Sequence, residues 1–340
     1  MTISFRQNLP DLAEYRRELV AGGAIVPLRE VPSRSGGLLP VIPAPPEGRK
    51  GWPWDIQASP DHGSDVPWPK FTIVIPSFQQ GAFLEETLRS VLLQNYPSVE
   101  CIVIDGGSSD QSPAVIEKYR PWLSFARVAP DRGQGHAINL GFSIGSGEIY
   151  GWLNSDDFYL SGALRRVAET WMKTRAEFIY GDSLDLEEAT GRYTHSTANL
   201  AASRYVRFPG LVPSHATFWA ANRHQPIWEE QNCALDYELW IRLLPGLRTK
   251  HVRWPLAVFR RHAAAKSFDV KTRERWAEDA LRNGMAHPEL YGAGLSERLL
   301  GMEFRAVQRI VRASRRRGLA ARLESLRRDC GWDAVPLADG

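Results

Sequence analysis

The stretch Asn154-Ser155-Asp156-Asp157 ends an apolar run, Ile149 to Leu153, and sets two carboxylates side by side. Adjacent carboxylates at the end of a buried strand repel each other and lose solvation, so their presence calls for a compensating group. Hard oxygen donors on a rigid strand end suit Mg²⁺ or Mn²⁺, which usually takes one or two carboxylates and completes its shell with phosphate oxygens and water. A cation held there with a diphosphate removes the repulsion. An Asp-Asp pair alone is more often a turn or a helix cap. It gains meaning from two other polar clusters, Pro76-Ser77-Phe78 after "FTIVIPS" and Asp105-Gly106-Gly107 after "ECIVID". Asp105 is a candidate acceptor for a base or ribose, and Gly106 and Gly107 let ligand and backbone approach closely. Asp110 reads as a local loop ligand.

These clusters share one context. "FTIVIPS" and "ECIVID" are β-branched runs of the kind that form strands buried on both faces. Between them, Leu84, Leu88, Val91 and Leu92 mark one face of a helix over about Ala82 to Gln94. Ser112-Pro113 supplies a cap and a first-turn proline for a second helix to Tyr119. A third strand is expected near Ala126 to Ala129, a helix near His136 to Ile144, and a fourth strand at Glu148 to Leu153. Leu164, Val167, Ala168 and Trp171 give a further helix, with Ser161 as its expected cap. Alternating strands and helices of this length define a doubly wound α/β sheet, mostly parallel and covered on both faces. In such sheets ligands sit beyond the carboxyl ends of the strands, where strand order reverses. Asp131 and Arg132, after the third strand, are therefore candidate nucleotide neighbours. "RGQGHA" lacks the third small residue of a dinucleotide fingerprint and does not follow the first strand.

Around this core the texture differs. Residues 1–69 are rich in Pro and Gly and read as an extended arm with a short helix near Asp11 to Leu19, while Trp52, Trp54 and Trp68 argue that the arm packs on something. Residues 70–270 read as the α/β domain, one half to 160 and a second beyond, which the resemblance described below makes the nucleotide-binding half and the acceptor half. There "FIYGDSLDL" and "GRYTHS" pair across a Glu188-to-Gly191 turn, "HATFWA" and "LAVFRRH" are strands, and "DYELWIRLL" is a short helix. Residues 271–340 read as a basic helical region.

Composition excludes some classes. A net charge of +3 gives no argument for nucleic acid. No apolar run approaches the roughly 20 residues that cross a bilayer, and Met1-Thr2-Ile3-Ser4 does not open a signal peptide. Cys101, Cys233 and Cys330 share no metal-ligand spacing and read as reduced thiols, Cys101 as core filler, which sets the expectation of a cytoplasmic protein.

Three stretches, "FTIVIPSFQQGAFLEETLRSVLLQNYPSVECIVIDGGSSDQS", "PDRGQGHAINLGFSIGSGEIYGWLNSDDFYLSGAL" and "HATFW…LDYELWIRLL", together resemble the family 2 glycosyltransferases of the GT-A fold, over about Lys70 to Ser267. The resemblance implies an inverting transferase that uses a nucleotide-diphosphate sugar and a divalent metal, Mn²⁺ or Mg²⁺. By it Asp105 contacts the nucleoside beside Pro76-Ser77-Phe78. Asn154-Ser155-Asp156 stands at the DxD motif, with Asp156 the main metal ligand and Asp157 and His215 as further candidate metal ligands. Asp236 matches the general base. Arg260, Arg261, His262 and Lys266 match a basic loop that closes over the phosphates, and Asp182 is either an acceptor contact or a strand-end cap. Two departures stand out: Asn154 replaces the first Asp of DxD, and Leu235 replaces a Glu common before the base. They keep open a non-catalytic sugar-nucleotide or glycan-binding module on the same fold. The QxxRW motif of processive synthases is absent, which implies single addition to a glycan or lipid-linked acceptor in cell-surface polysaccharide or glycoconjugate assembly. The basic tail, with Arg305, Arg309, Arg312 and Arg315-Arg316-Arg317, reads either as a helix packed on the domain or as a peripheral contact with the inner face of the plasma membrane. A nucleotidyltransferase is disfavoured, because "PSFQQGAF" offers no Lys or Arg for a phosphate loop.

Overall fold

The structure is a computed structural model that describes residues 7–60, 67–208, 210, 212–263, 270–290, 295–332 and 337–339. Lys266 lies outside the described residues. A first helix, α1 (Leu12–Ala21), begins where Asp11 accepts a hydrogen bond from Ala13 N–H. The α/β core follows as β1 (Phe71–Ser77), α2 (Gly81–Leu92), β2 (Val99–Asp105), α3 (Ser112–Tyr119), β3 (Phe125–Val128), α4 (Gln134–Ile144) and β4 (Ile149–Trp152). These four strands are parallel, in the order β3-β2-β1-β4, so strand order reverses between β1 and β4.

Both faces are covered, as the unbroken apolar runs require. Ile73 and Ile75 of β1 point into one core with Leu84, Leu88 and Val91 of α2, while Val74 points into the other with Ile138 and Leu140 of α4. The α4 face approaches so closely that a Cβ at Gly141 would lie 2.5 Å from Val74. Only glycine fits there.

The sheet then turns antiparallel. After β5 (Phe158–Tyr159) and α5 (Ala163–Thr174) come β6 (Phe178–Glu187), β7 (Arg192–Ser196), β8 (Thr217–Ala220), α6 (Leu235–Leu243) and β9 (Thr249–Arg261). Strand β8 joins β4 to β6, β6 pairs with β7 across the expected turn, and β9 runs beside β6. The sheet is thus α/β, a parallel half continued by an antiparallel half. The cap of α5 is a correction: its N-cap is Gly162 in the left-handed conformation, not Ser161. The basic tail is not one helix. Helices α7 (Val270–Ala286) and α8 (Leu295–Arg316) precede α9 (Leu319–Cys330), and Gly318, at φ +70°, breaks the last two.

The N-terminal arm is packed, as its tryptophans suggested. Trp52 is buried and donates from its indole to Tyr159 O at 2.7 Å, and its backbone N–H reaches Cys330 O at 2.8 Å. Arg89 of α2 is the buried anchor. Its guanidinium donates to the carbonyls of Pro43, Pro53 and Trp54 and to the Tyr119 hydroxyl. Replacing it with an apolar side chain leaves those buried carbonyls without donors. Arg89→Met is expected to lower stability by about 2–4 kcal/mol in urea unfolding and to expose residues 38–56 to protease. An unchanged midpoint and digestion pattern would show that the arm does not depend on it.

Candidate functional site

A cavity of about 690 Å³ opens at the carboxyl ends of β1 and β4, a size typical of small-molecule sites. It lies at the reversal of strand order. Pro76, Ser77, Phe78 and Gln80 after β1, Gly106 after β2 and Asp131 after β3 form one side. Asn154, Ser155 and Asp156 after β4 form the floor, with the first turn of α4 (Gly133, Gln134 and Ala137) beside them. Ser214, Asn232, Cys233, Leu235, Asp236, Phe259, Arg275 and Trp276 form the opposite side.

Local chemistry explains each position. A Cβ at Gly106 would lie 3.1 Å from the Asp131 carboxylate, so glycine lets the β2 and β3 loops meet. Asp131 accepts from Gly133 N–H at 2.7 Å, and burial raises its pKa. Gly133 is the N-cap of α4 at φ +110°, and that helix has no side-chain cap. Its first-turn N–H groups thus border the cavity, an arrangement that favours anions. The Ser77 hydroxyl is buried in the wall with no hydrogen-bond partner among the described residues.

The two aspartates of the opening motif are divided by geometry. The Asp157 side chain is fully buried and turned away from the cavity. Its Oδ1 accepts from Arg260 N–H at 3.0 Å, and its Oδ2 accepts from Asn154 Nδ2 at 3.4 Å. Burial and then the neighbouring Asp156 charge hold its pKa well above the carboxylate range. Asp156 instead lines the cavity, with Oδ2 3.2 Å from His262 Nε2. Placing Asp157 and His215 as metal ligands is therefore corrected. His215 sits behind Asp157, its Nδ1 4.0 Å from Asp157 Oδ2 and its ring stacked on Phe259. Burial lowers its pKa to about 4, which keeps it neutral.

Among the described residues no group of three or more His, Cys, Asp and Glu side chains could by itself hold a metal ion. The donor set present fits a hard cation of the kind that takes one carboxylate from the protein and the rest of its shell from phosphate and water. Asp156 is the carboxylate that the cavity offers for such a cation, with His262 beside it.

Other expected contacts are redirected. Arg260 and Arg261 belong to β9 and not to a loop. Arg260 is buried: it pairs with Glu86 at 2.7 Å and with Glu188, and donates to Asp156 O at 2.9 Å. Arg261 pairs with Asp185 at 2.6 Å. Asp105 is fully buried, with Gly107 N–H, Ser108 N–H and the Ser108 hydroxyl all donating to its carboxylate, so it shapes its own loop. Gly107, at φ +83°, packs against Pro130 behind that loop. Arg132 turns outward, pairing with Glu229 at 3.0 Å and with the Tyr15 hydroxyl of α1. Asp182 lies inside β6, held by His251 at 2.8 Å and His195 at 3.4 Å, so it is neither an acceptor contact nor a strand-end cap.

Asp236 stands in the second residue of α6, on the cavity wall. Desolvation pushes its pKa up to about 6, against the lowering effect of hydrogen bonds from Tyr237 N–H and the Ser214 side chain. Two features fix its place. Trp240 of α6 stacks on Trp152 of β4, with centroids 5.9 Å apart and planes 7° from parallel. Asp279 of α7, fully buried, accepts from the N–H groups of Asn232, Cys233 and Ala234 just before α6. It replaces the side-chain cap that α6 lacks, and α7 thereby also brings Arg275 and Trp276 to the cavity. No local pattern marks Asp279, since its partners lie 45–47 residues away.

What these features define as a class is an open α/β sheet protein with its ligand cleft at the topological switch point. Residues 72–229 match the family model described as Glycosyl transferase family 2. An uncharacterized glycosyltransferase of Nostoc sp. is 26% identical over 149 residues, 39% of this chain and 44% of that protein. Succinoglycan biosynthesis protein ExoO of Rhizobium meliloti is 28% identical over 169 residues, 48% of each chain. The chain spans about half the length of the curated relatives it matches. Among solved structures, S. aureus TarS in complex with UDP-GlcNAc aligns with a TM-score of 0.49 at 16% identity, covering 63% of this chain and 66% of that one. No helix among the described residues is long and apolar enough to cross a membrane.

Removing Arg260 leaves Glu86 buried without its cation. Arg260→Met is expected to lower stability by about 3–5 kcal/mol, with part recovered in the double variant Glu86→Gln/Arg260→Met. Urea unfolding of the three proteins checks this, and additive losses would show that the pair is not coupled.

Proposed function

We propose that this chain is an inverting glycosyltransferase that moves one sugar from a nucleotide-diphosphate sugar to a hydroxyl of a glycan or lipid-linked acceptor. The carrying observation is that Asp156, from the β4 end, and Asp236, from the start of α6, wall the same cavity at the sheet's switch point. The match of residues 72–229 to the Glycosyl transferase family 2 model supports the reading.

The nucleotide would lie along Pro76, Ser77 and Asp131, with its diphosphate toward the first turn of α4 and Asp156. The unpartnered Ser77 hydroxyl and the uncapped α4 N-terminus suit that ligand. Asp156 would hold Mn²⁺ or Mg²⁺, with His262 adjacent. Such a cation, when bound, offsets the charge that grows on the departing diphosphate. Inversion requires the acceptor oxygen to attack the anomeric carbon from the face opposite the leaving group. Asp236 takes the proton of that hydroxyl as the new C–O bond forms. A carboxylate whose pKa is raised is a stronger base while still ionised at neutral pH. Trp276, exposed in the cavity on the Asp236 side, offers an aromatic face to the acceptor. The succinoglycan name of the Rhizobium meliloti relative places that protein in polysaccharide biosynthesis, the process we assign here.

Asp236→Asn is expected to lower sugar transfer by roughly 10²–10⁴-fold while nucleotide-sugar binding, read by thermal shift, persists. Because Asp236 must be ionised to act, the kcat/KM of the wild type should fall as pH drops through about 6, with no such limb in the residual activity of the variant. Asp156→Ala should abolish Mn²⁺-stimulated release of nucleotide diphosphate. A protein that binds nucleotide sugars but transfers nothing in any of these assays is a binding module, and the enzymatic reading fails.

A further inference from the structure

Helix α8 presents two faces of opposite character. Its inner face is fixed to the domain: Phe304 stacks on Phe208 at 4.3 Å, Gln308 accepts from Leu200 N–H, and buried Arg315 donates to Ala198 O and the Tyr180 hydroxyl. The outer face carries Leu299, Met302 and Ile310, which are 56%, 59% and 70% exposed. With exposed Ala306 and Ala313 they recur at steps of three and four residues, which aligns them in one apolar stripe along the helix. Exposed Arg298, Arg305, Arg309 and Arg316 recur at steps of seven and four, which aligns them in a row along one flank of that stripe. The exposed Glu303 on the other flank is paired with Arg204 at 2.7 Å. The helix has 22 residues, a length of about 33 Å.

We infer that this outer face of α8 lies on an anionic lipid bilayer surface. The stripe is straight, shallow and methyl-rich, which suits insertion between headgroups better than a shaped protein groove. The arginine row sits at the edge of the stripe, where long side chains reach anionic headgroups while their stems stay apolar. On the exposed side Arg298, Arg305, Arg309 and Arg316 stand against Glu303, itself paired with Arg204, which gives the face its charge preference. Because the inner face is anchored through Arg315 and Phe304, docking would carry the whole domain to the membrane without rearranging the sheet. The inference stands on α8 alone and does not depend on the catalytic reading.

The test is flotation of the full chain with vesicles of phosphatidylcholine alone or mixed with phosphatidylglycerol. Binding is expected to the mixed vesicles only, and it should weaken as salt is raised. Arg305→Gln/Arg309→Gln should lower the apparent affinity by roughly 25-fold, and Met302→Ser/Ile310→Ser should abolish flotation. Neither pair touches the cavity, so thermal melting and donor hydrolysis should match the wild type. Equal binding to both vesicle types, or none to either, overturns the inference. So does a concentration-dependent dimer in light scattering that Met302→Ser/Ile310→Ser dissolves, because the face then belongs to a second copy.

Discussion

Arg260 is the cation around which the acidic side of the site is assembled. It takes Glu86 from α2, Glu188 just after β6 and the Asp156 carbonyl, while its own N–H meets Asp157. A guanidinium has a rigid fork of donors and stays charged when buried, so one side chain can serve several acceptors that would otherwise repel. Burial alone would push the Glu86 and Asp157 carboxyls toward protonation, and the pair with Arg260 opposes that. The repulsion in the Asp156-Asp157 motif is thus met in two ways. One carboxylate is taken inward by the protein, and the other is left at the cavity for a ligand.

The second carboxylate of the site is held by different means. Asp236 rides on α6, whose start is capped from a distance by Asp279 and whose body is pinned to β4 by the Trp152–Trp240 stack. Trp219 of β8 closes the aromatic cluster, edge-on to both rings. The strand that leads to Asp156 and the helix that begins near Asp236 are therefore linked by apolar contacts. Packed aromatic rings allow little change in separation without opening a void. Two acids with different surroundings are also two acids with different tasks: Asp236 gains proton affinity from desolvation, whereas Asp156 keeps an open face.

The arm and the tail act as one support. Trp52 reaches Tyr159 beside the motif strand and Cys330 at the end of α9, and Leu323, Leu326 and Trp332 join the same core as the β1 and α2 side chains. Arg89, donating to the arm's carbonyls, holds it against the helix that also carries Glu86. The arm thereby stiffens the platform on which Arg260 and the motif loop rest.

Much of the parallel half was legible in the chain. β-branched runs buried on both faces, helical periodicity and strand-end polar residues are local signals, and they placed Pro76, Ser77, Asp131, Asn154 and Asp156 at one rim. Orientation was not legible. Asp105, Asp157, Arg132, Asp182 and Arg260 have the residue types of a site, yet Asp105 is consumed by its own loop and the others by partners from elsewhere in the chain. For Asp157 and Arg260 that partner is 103 residues away. Asp279, Arg275 and Trp276 were silent for the converse reason, because they act through contacts that no short pattern encodes. The sequence by itself determined which elements form and which acids end the strands, since hydrophobic period and turn chemistry act over a few residues. Which of those acids faces the cavity was decided only when the sheet closed, because burial and ion pairing depend on what the fold brings alongside.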